Sequence, residues 1–122
     1  AVLGNESPCA SVCGEIEAGA EFYDYEAKYL SDSARFYVPA RISEELSEQV
    51  RETAAKVYRA MECRGLARVD FFVRRDDQEV VFNEINTIPG FTSISMYPRL
   101  FAASGIEYPE LIDNLIALAL EE

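Results

Sequence analysis

The chain is 122 residues long, 49% apolar and 11% aromatic, enough for one domain with a real core and too apolar for disorder. Its net charge of −11 excludes broad contacts with a phosphate backbone, so nucleic acid is not an expected partner, whereas a nucleotide carrying its metal needs only a local cluster of cations. With no histidine, Ser-His and Cys-His catalytic pairs are excluded, and proton transfer falls to carboxylates, Lys, Tyr or the substrate.

Ala1-Val2-Leu3-Gly4 begins as strand with no start residue, cap or polar leader, as though cut inside an element, so a fragment is expected. The weakly alternating stretch Ala10 to Ile16 is expected to pair with it as a hairpin through Asn5-Glu6-Ser7-Pro8. Cys9, Cys13 and Cys63 are odd in number and not spaced as a zinc site, which points to reduced cytosolic thiols, with Cys63 packing just beyond a helix. No apolar run is long enough to span a bilayer and no signal peptide is apparent, so a cytoplasmic protein without a membrane partner is expected.

Between Gly19 and Pro39 neither a helical nor a strand period emerges. Phe22-Tyr23-Asp24-Tyr25-Glu26-Ala27-Lys28-Tyr29 sets four aromatics among charges, which fits either a functional lid or a surface loop pinned to the core. From Ser43, a plausible N-cap, a helix follows: Glu44 and Glu45 suit its first turn, and Leu46, Val50, Ala54, Val57 and Met61 recur as a core stripe that ends near Gly65. Glu52 and Lys56, one turn apart, read as a solvated pair.

Leu66 to Val73 and the run ending at Asn86 read as strands joined by the polar turn Arg75-Asp76-Asp77-Gln78. A hairpin folded about Asp77 sets Asp70 opposite Glu84 and Arg68 opposite Asn86, all on one face. Opposed carboxylates repel unless neutralised, and two remedies present themselves: a divalent cation held by the acids and the Asn86 amide oxygen, or Arg68 bridging the acids as a salt network. A slip of one residue in register would separate the acids. The loop Thr87 to Ser95 leads to a short helix from Tyr97 to Ser104, stopped by Gly105. Pro109 opens a last helix with Leu111, Ile112, Leu115, Ile116 and Leu118 on its buried stripe. The order predicts an α+β fold, an antiparallel sheet with helices packed mainly on one face. Neither a Gly-x-x-x-x-Gly-Lys loop nor Gly-x-Gly-x-x-Gly is present.

Three linked stretches, FYDYEAKY at Phe22 to Tyr29, GLARVD at Gly65 to Asp70 and NEINTIPGFTSIS at Asn83 to Ser95, closely resemble the carboxy-terminal part of D-alanine-D-alanine ligases of the ATP-grasp superfamily. The resemblance implies an enzyme that uses ATP with Mg²⁺ or Mn²⁺ to activate one D-alanine as an acylphosphate, which a second D-alanine attacks, for peptidoglycan synthesis. It implies that Asp70, Glu84 and Asn86 ligate the metal, that Arg68 stabilises charge on the transferring phosphoryl and the tetrahedral intermediate, and that the Gly90 N–H completes an oxyanion site. Lys28 would reach the γ-phosphate and substrate carboxylate, Tyr29 would close the second amino-acid subsite, Ser95 and Met96 would bind that substrate's carboxylate, and Phe22 would flank adenine. Homodimers are common in the family.

The same resemblance makes residues 1–122 a carboxy-terminal ATP-grasp subdomain, without the amino-terminal domain and most of the central ATP-binding subdomain, and inactive alone. D-serine or D-lactate are the competing second substrates. Two other readings stand beside it: another ATP-grasp carboxylate-amine ligase, or a non-catalytic module whose acidic face binds a cation or a protein partner.

Overall fold

Where two successive strand residues are both apolar, as at Val2-Leu3 and Leu66-Ala67, both faces of the sheet need cover. The computed structural model, which describes residues 1–17 and 35–121, supplies it. Its elements are β1 (Val2–Gly4), β2 (Cys9–Ala10), β3 (Glu15–Glu17), β4 (Arg35–Tyr37), α1 (Glu44–Ala60), β5 (Gly65–Val73), β6 (Val80–Asn86), α2 (Met96–Ala103) and α3 (Tyr108–Ala119). An antiparallel sheet runs in the order β2-β1-β5-β6, and β3 and β4 form a separate antiparallel ribbon.

On one face Val2 and Ala67 pack with Ala54 and Tyr58 of α1, joined by Val69, Phe71, Ile85 and Cys63. On the other Leu3 packs with Tyr97, Phe101 and Leu111 of α2 and α3, joined by Leu66 and Phe91. The α+β class and the antiparallel sheet are as the sequence predicts. The helices divide between the faces rather than gathering on one, because β1 and the start of β5 are apolar on both sides.

Buried tyrosines tie each layer to β1, one of the two inner strands: Tyr58 donates its O–H to the carbonyl of Gly4 at 2.6 Å and Tyr97 to that of Val2 at 2.8 Å. β1 forms a hairpin through the expected turn, but its partner is only Cys9–Ala10; Glu15 and Ile16, the far end of the expected partner strand, pair with β4 instead, because the chain leaves the sheet after Ser11. In the turn, Asn5 is buried. Its amide donates to the Leu118 carbonyl and to Glu121, while its oxygen accepts from Gly65 N–H at 3.0 Å, fastening the turn to β5 and to the end of α3. On the β3-β4 ribbon, Arg41 pairs with Glu15 at 2.7 Å and lies over the Tyr37 ring; its hydrogen bonds hold the Glu15 carboxyl below its usual value.

Ser43 caps α1 as expected, accepting from Leu46 N–H at 3.1 Å. Two predicted stripes need correction. Met61 follows the last turn of α1 and is largely exposed, its core place taken by Tyr58. On α3 Leu111 is fully buried, but Ile116 is 56% exposed and Ile112 also faces outward, because α3 touches the sheet along one narrow edge. Among the described residues no helix is long and apolar enough to cross a membrane.

Two outcomes follow for stability. Leu111→Ala, which empties a fully buried site, should cost about 2–5 kcal/mol in a urea melt. Burial pushes the Tyr58 phenol up to about 12. The folded state therefore keeps a proton that the unfolded chain releases near pH 10 or so. Stability from that proton is complete below the unfolded value and is lost as pH climbs through the folded one. Melts across this window should show Tyr58→Phe losing stability less steeply with pH than the unsubstituted protein, from a lower starting point because the Gly4 carbonyl loses its donor.

Candidate active site

β5 changes character along its length. Ala67, Val69 and Phe71 stay on the α1 face throughout, while the opposite face passes from apolar Leu66 to Arg68 and Asp70. β6 meets that face with Asn86 opposite Arg68 and Glu84 opposite Asp70, the register expected from the sequence. It arises in two parts. From the turn the pairs are Val73 with Val80, Phe72 with Val81 and Phe71 with Phe82; the next pair is Asp70 with Glu84, so Asn83 is an extra residue in a β-bulge. The bulge lets Phe82 meet Phe71, ring centroids 6.0 Å apart, while Glu84 stands opposite Asp70 on the other face.

Arg68, only 13% exposed, grips Asp70 with two bonds, Nε to Oδ1 at 2.9 Å and Nη2 to Oδ2 at 3.0 Å, and its Nη2 lies 3.8 Å from Glu84 Oε1. The acids are thus bridged by a cation from the same face. A two-bond guanidinium-carboxylate pair is more specific than an exposed salt bridge, because its planar fork fixes both partners. The Asn86 side-chain oxygen accepts from Ile88 N–H at 3.0 Å, turning the chain sharply after β6.

Among the described residues no three His, Cys, Asp or Glu side chains cluster as a metal site. Two carboxylates and an amide oxygen are nevertheless a hard oxygen donor set, of the type that Mg²⁺ takes with substrate phosphates completing its shell. The residues fit such a cation in chemistry, with Asp70 shared between it and Arg68.

From Asn86 the chain reaches Gly90 in four residues, at most about 14 Å even if extended. There Phe91 packs against Tyr97 and Tyr108, and Tyr108 donates its O–H to the Phe91 carbonyl at 2.9 Å, holding the loop on the α2-α3 layer. Gly90 lies against Ser95: a Cβ built on it would stand 3.2 Å from Ser95 Oγ. The two predicted residues are therefore neighbours. The Met96 side chain is buried beside Gly14, so what Met96 can offer a ligand is its backbone N–H at the start of α2. Phe22, Lys28 and Tyr29 lie outside the described residues.

Two contributors were not singled out from the sequence. Tyr108 gave no local signal, since its role depends on a contact 17 residues away. Thr92, bonded to Ser95, could have been found from the spacing of two hydroxyl residues three apart before a helix.

A D-alanine–D-alanine ligase from Chlorobium phaeovibrioides is 61% identical over 121 residues, which is 99% of this chain and 34% of that protein. The chain thus spans about a third of the length of this curated relative. Among solved structures, the VanG D-Ala:D-Ser ligase from Enterococcus faecalis superposes with a TM-score of 0.84 at 41% identity, covering 98% of this chain and 34% of that one. A D-alanine–D-alanine ligase from Bacillus anthracis, solved with ATP, gives 0.75 at 28% identity over 98% of this chain and 36% of that one. The model of the D-ala D-ala ligase C-terminus matches residues 1–117, and the chain belongs to that family.

Proposed function

We propose that residues 1–122 are the carboxy-terminal ATP-grasp subdomain of a ligase that joins two D-alanines at the expense of ATP, for peptidoglycan precursor synthesis in the cytoplasm. The observation that carries this reading is the placement of Arg68, Asp70, Glu84 and Asn86 on one face of the β5-β6 hairpin, beside the loop that holds Gly90 and Ser95.

Asp70, Glu84 and Asn86 would hold Mg²⁺ or Mn²⁺, which when bound neutralises the phosphate oxygens of ATP. Arg68, held by Asp70, aims a fixed positive charge at the region where negative charge develops during transfer of the γ-phosphoryl to the first D-alanine carboxylate. ADP leaves and an acylphosphate results. The amine of the second D-alanine then attacks the acyl carbon, phosphate departs and the nitrogen loses a proton. The Gly90 N–H is the proposed donor to the oxyanion formed in that attack.

Ser95 and the Met96 N–H mark the first turn of α2, whose N-terminal donors and dipole favour a carboxylate, here that of the second D-alanine. Lys28, Tyr29 and Phe22 are assigned from the sequence alone, Lys28 to the phosphate, Tyr29 to the second amino acid and Phe22 to adenine.

In the complete ligase, phosphate release should require D-alanine, and Glu84→Gln should lower its rate at least about a hundredfold through loss of a charged metal ligand. D-serine and D-lactate offered as acceptors set the specificity. Release that ignores D-alanine but follows another amino or hydroxy acid would keep the site and overturn the substrate. Complete loss of metal-dependent phosphate release on adding a chelator, restored by Mg²⁺ or Mn²⁺, is the companion result expected.

A further inference from the structure

Ser95 stands at the N-cap of α2, and its side chain makes no bond to the helix it precedes. A serine N-cap ordinarily accepts from the second or third helical N–H, and here the third residue is Pro98, which has none. The hydroxyl turns back to Thr92. The Thr92 N–H donates to Ser95 Oγ at 3.0 Å, the two hydroxyl oxygens are 2.8 Å apart, and the Ser95 N–H donates to the Thr92 carbonyl at 3.0 Å.

A serine hydroxyl has one proton and two lone pairs. The Thr92 N–H fills one lone pair. If the Ser95 proton went to Thr92 Oγ1, none would be left for an arriving carboxylate. If instead the Thr92 hydroxyl donates, both lone pairs of Ser95 are filled and its proton must point away from Thr92. Gly90 leaves the space beside that oxygen unfilled, since a Cβ there would stand 3.2 Å from it.

We infer that Thr92 is a positioning residue for the second substrate: by donating its hydroxyl and its N–H to Ser95 Oγ, it sets Ser95 as a hydrogen-bond donor to that substrate's carboxylate. A hydroxyl that already accepts two bonds is polarised to donate more strongly, and a carboxylate is the acceptor that gains most from it. The inference rests on the carboxylate reading of the start of α2 given above.

The test is steady-state kinetics of the complete ligase, with D-alanine varied at saturating ATP so that the KM values of the first and second D-alanine are resolved. Thr92→Val keeps the branched shape and removes the hydroxyl. It should raise the KM of the second D-alanine about tenfold, with those of ATP and the first D-alanine within about twofold, as loss of one hydrogen bond in a charged network requires. Thr92→Ser should restore it. A raised second KM in Ser95→Ala beside an unchanged one in Thr92→Val overturns the inference alone. An unchanged second KM in Ser95→Ala overturns the carboxylate reading, and the inference with it. Thr92 is exposed, so both of its variants should fold; equal effects of Val and Ser on every KM would mark a merely structural role and also overturn it.

Discussion

Cover on both faces of β1 is the constraint on which the rest of the molecule depends. Three residues long, it is paired on both edges and buried on both sides, with Val2 under α1 and Leu3 under α2 and α3. The two buried tyrosines add a polar bond from each layer to the same strand, and neither phenol could be left unpaired there without a cost comparable to the bond itself. Burial that deep also opposes ionisation of both phenols, which ties the integrity of the sheet to their remaining neutral.

β5 carries this constraint into the site. It starts between two apolar layers and leaves one of them after Leu66, so Arg68 and Asp70 emerge where the α2-α3 cover gives out. A guanidinium in such a place is largely withdrawn from water and needs a partner for its charge. Asp70, two residues on and on the same face, holds it with two bonds. Arginine and acid thus form one unit, its geometry fixed by two parallel bonds where a single bond would leave the long side chain free to swing. The loop after Asn86 is fixed by other means, with Phe91 set among aromatic rings and Tyr108 holding its carbonyl.

Much of this was legible in the residues. Alternation gave the shared face, the Ser43 cap gave the start of α1, and Gly105 with Pro109 bounded the last two helices. What escaped depended on depth or distance. A helical stripe says which residues point one way but not how wide a surface awaits them, so Met61, Ile112 and Ile116 read as core and are exposed. Tyr58, whose hydroxyl makes it look amphipathic, is fully buried because a carbonyl 54 residues away receives that hydroxyl. The split of helices between faces was implicit in Val2-Leu3 and Leu66-Ala67, yet a two-residue signal is easily taken for ordinary apolar strand. The Met96 side chain is buried beside Gly14, a placement that no local pattern in the sequence marks.

The bulge at Asn83 makes the β5-β6 hairpin two ladders in series, with different pairing sums. The outer ladder is set by its turn, where Arg74 draws in Asp76, Asp77 and Glu79. The inner one is set by Ala67, Val69 and Ile85 against α1. Such a joint isolates faults. A shift of alignment at the exposed tip can be absorbed where the ladders meet, and the tip is free to vary in sequence without carrying the acids to the wrong side of the sheet.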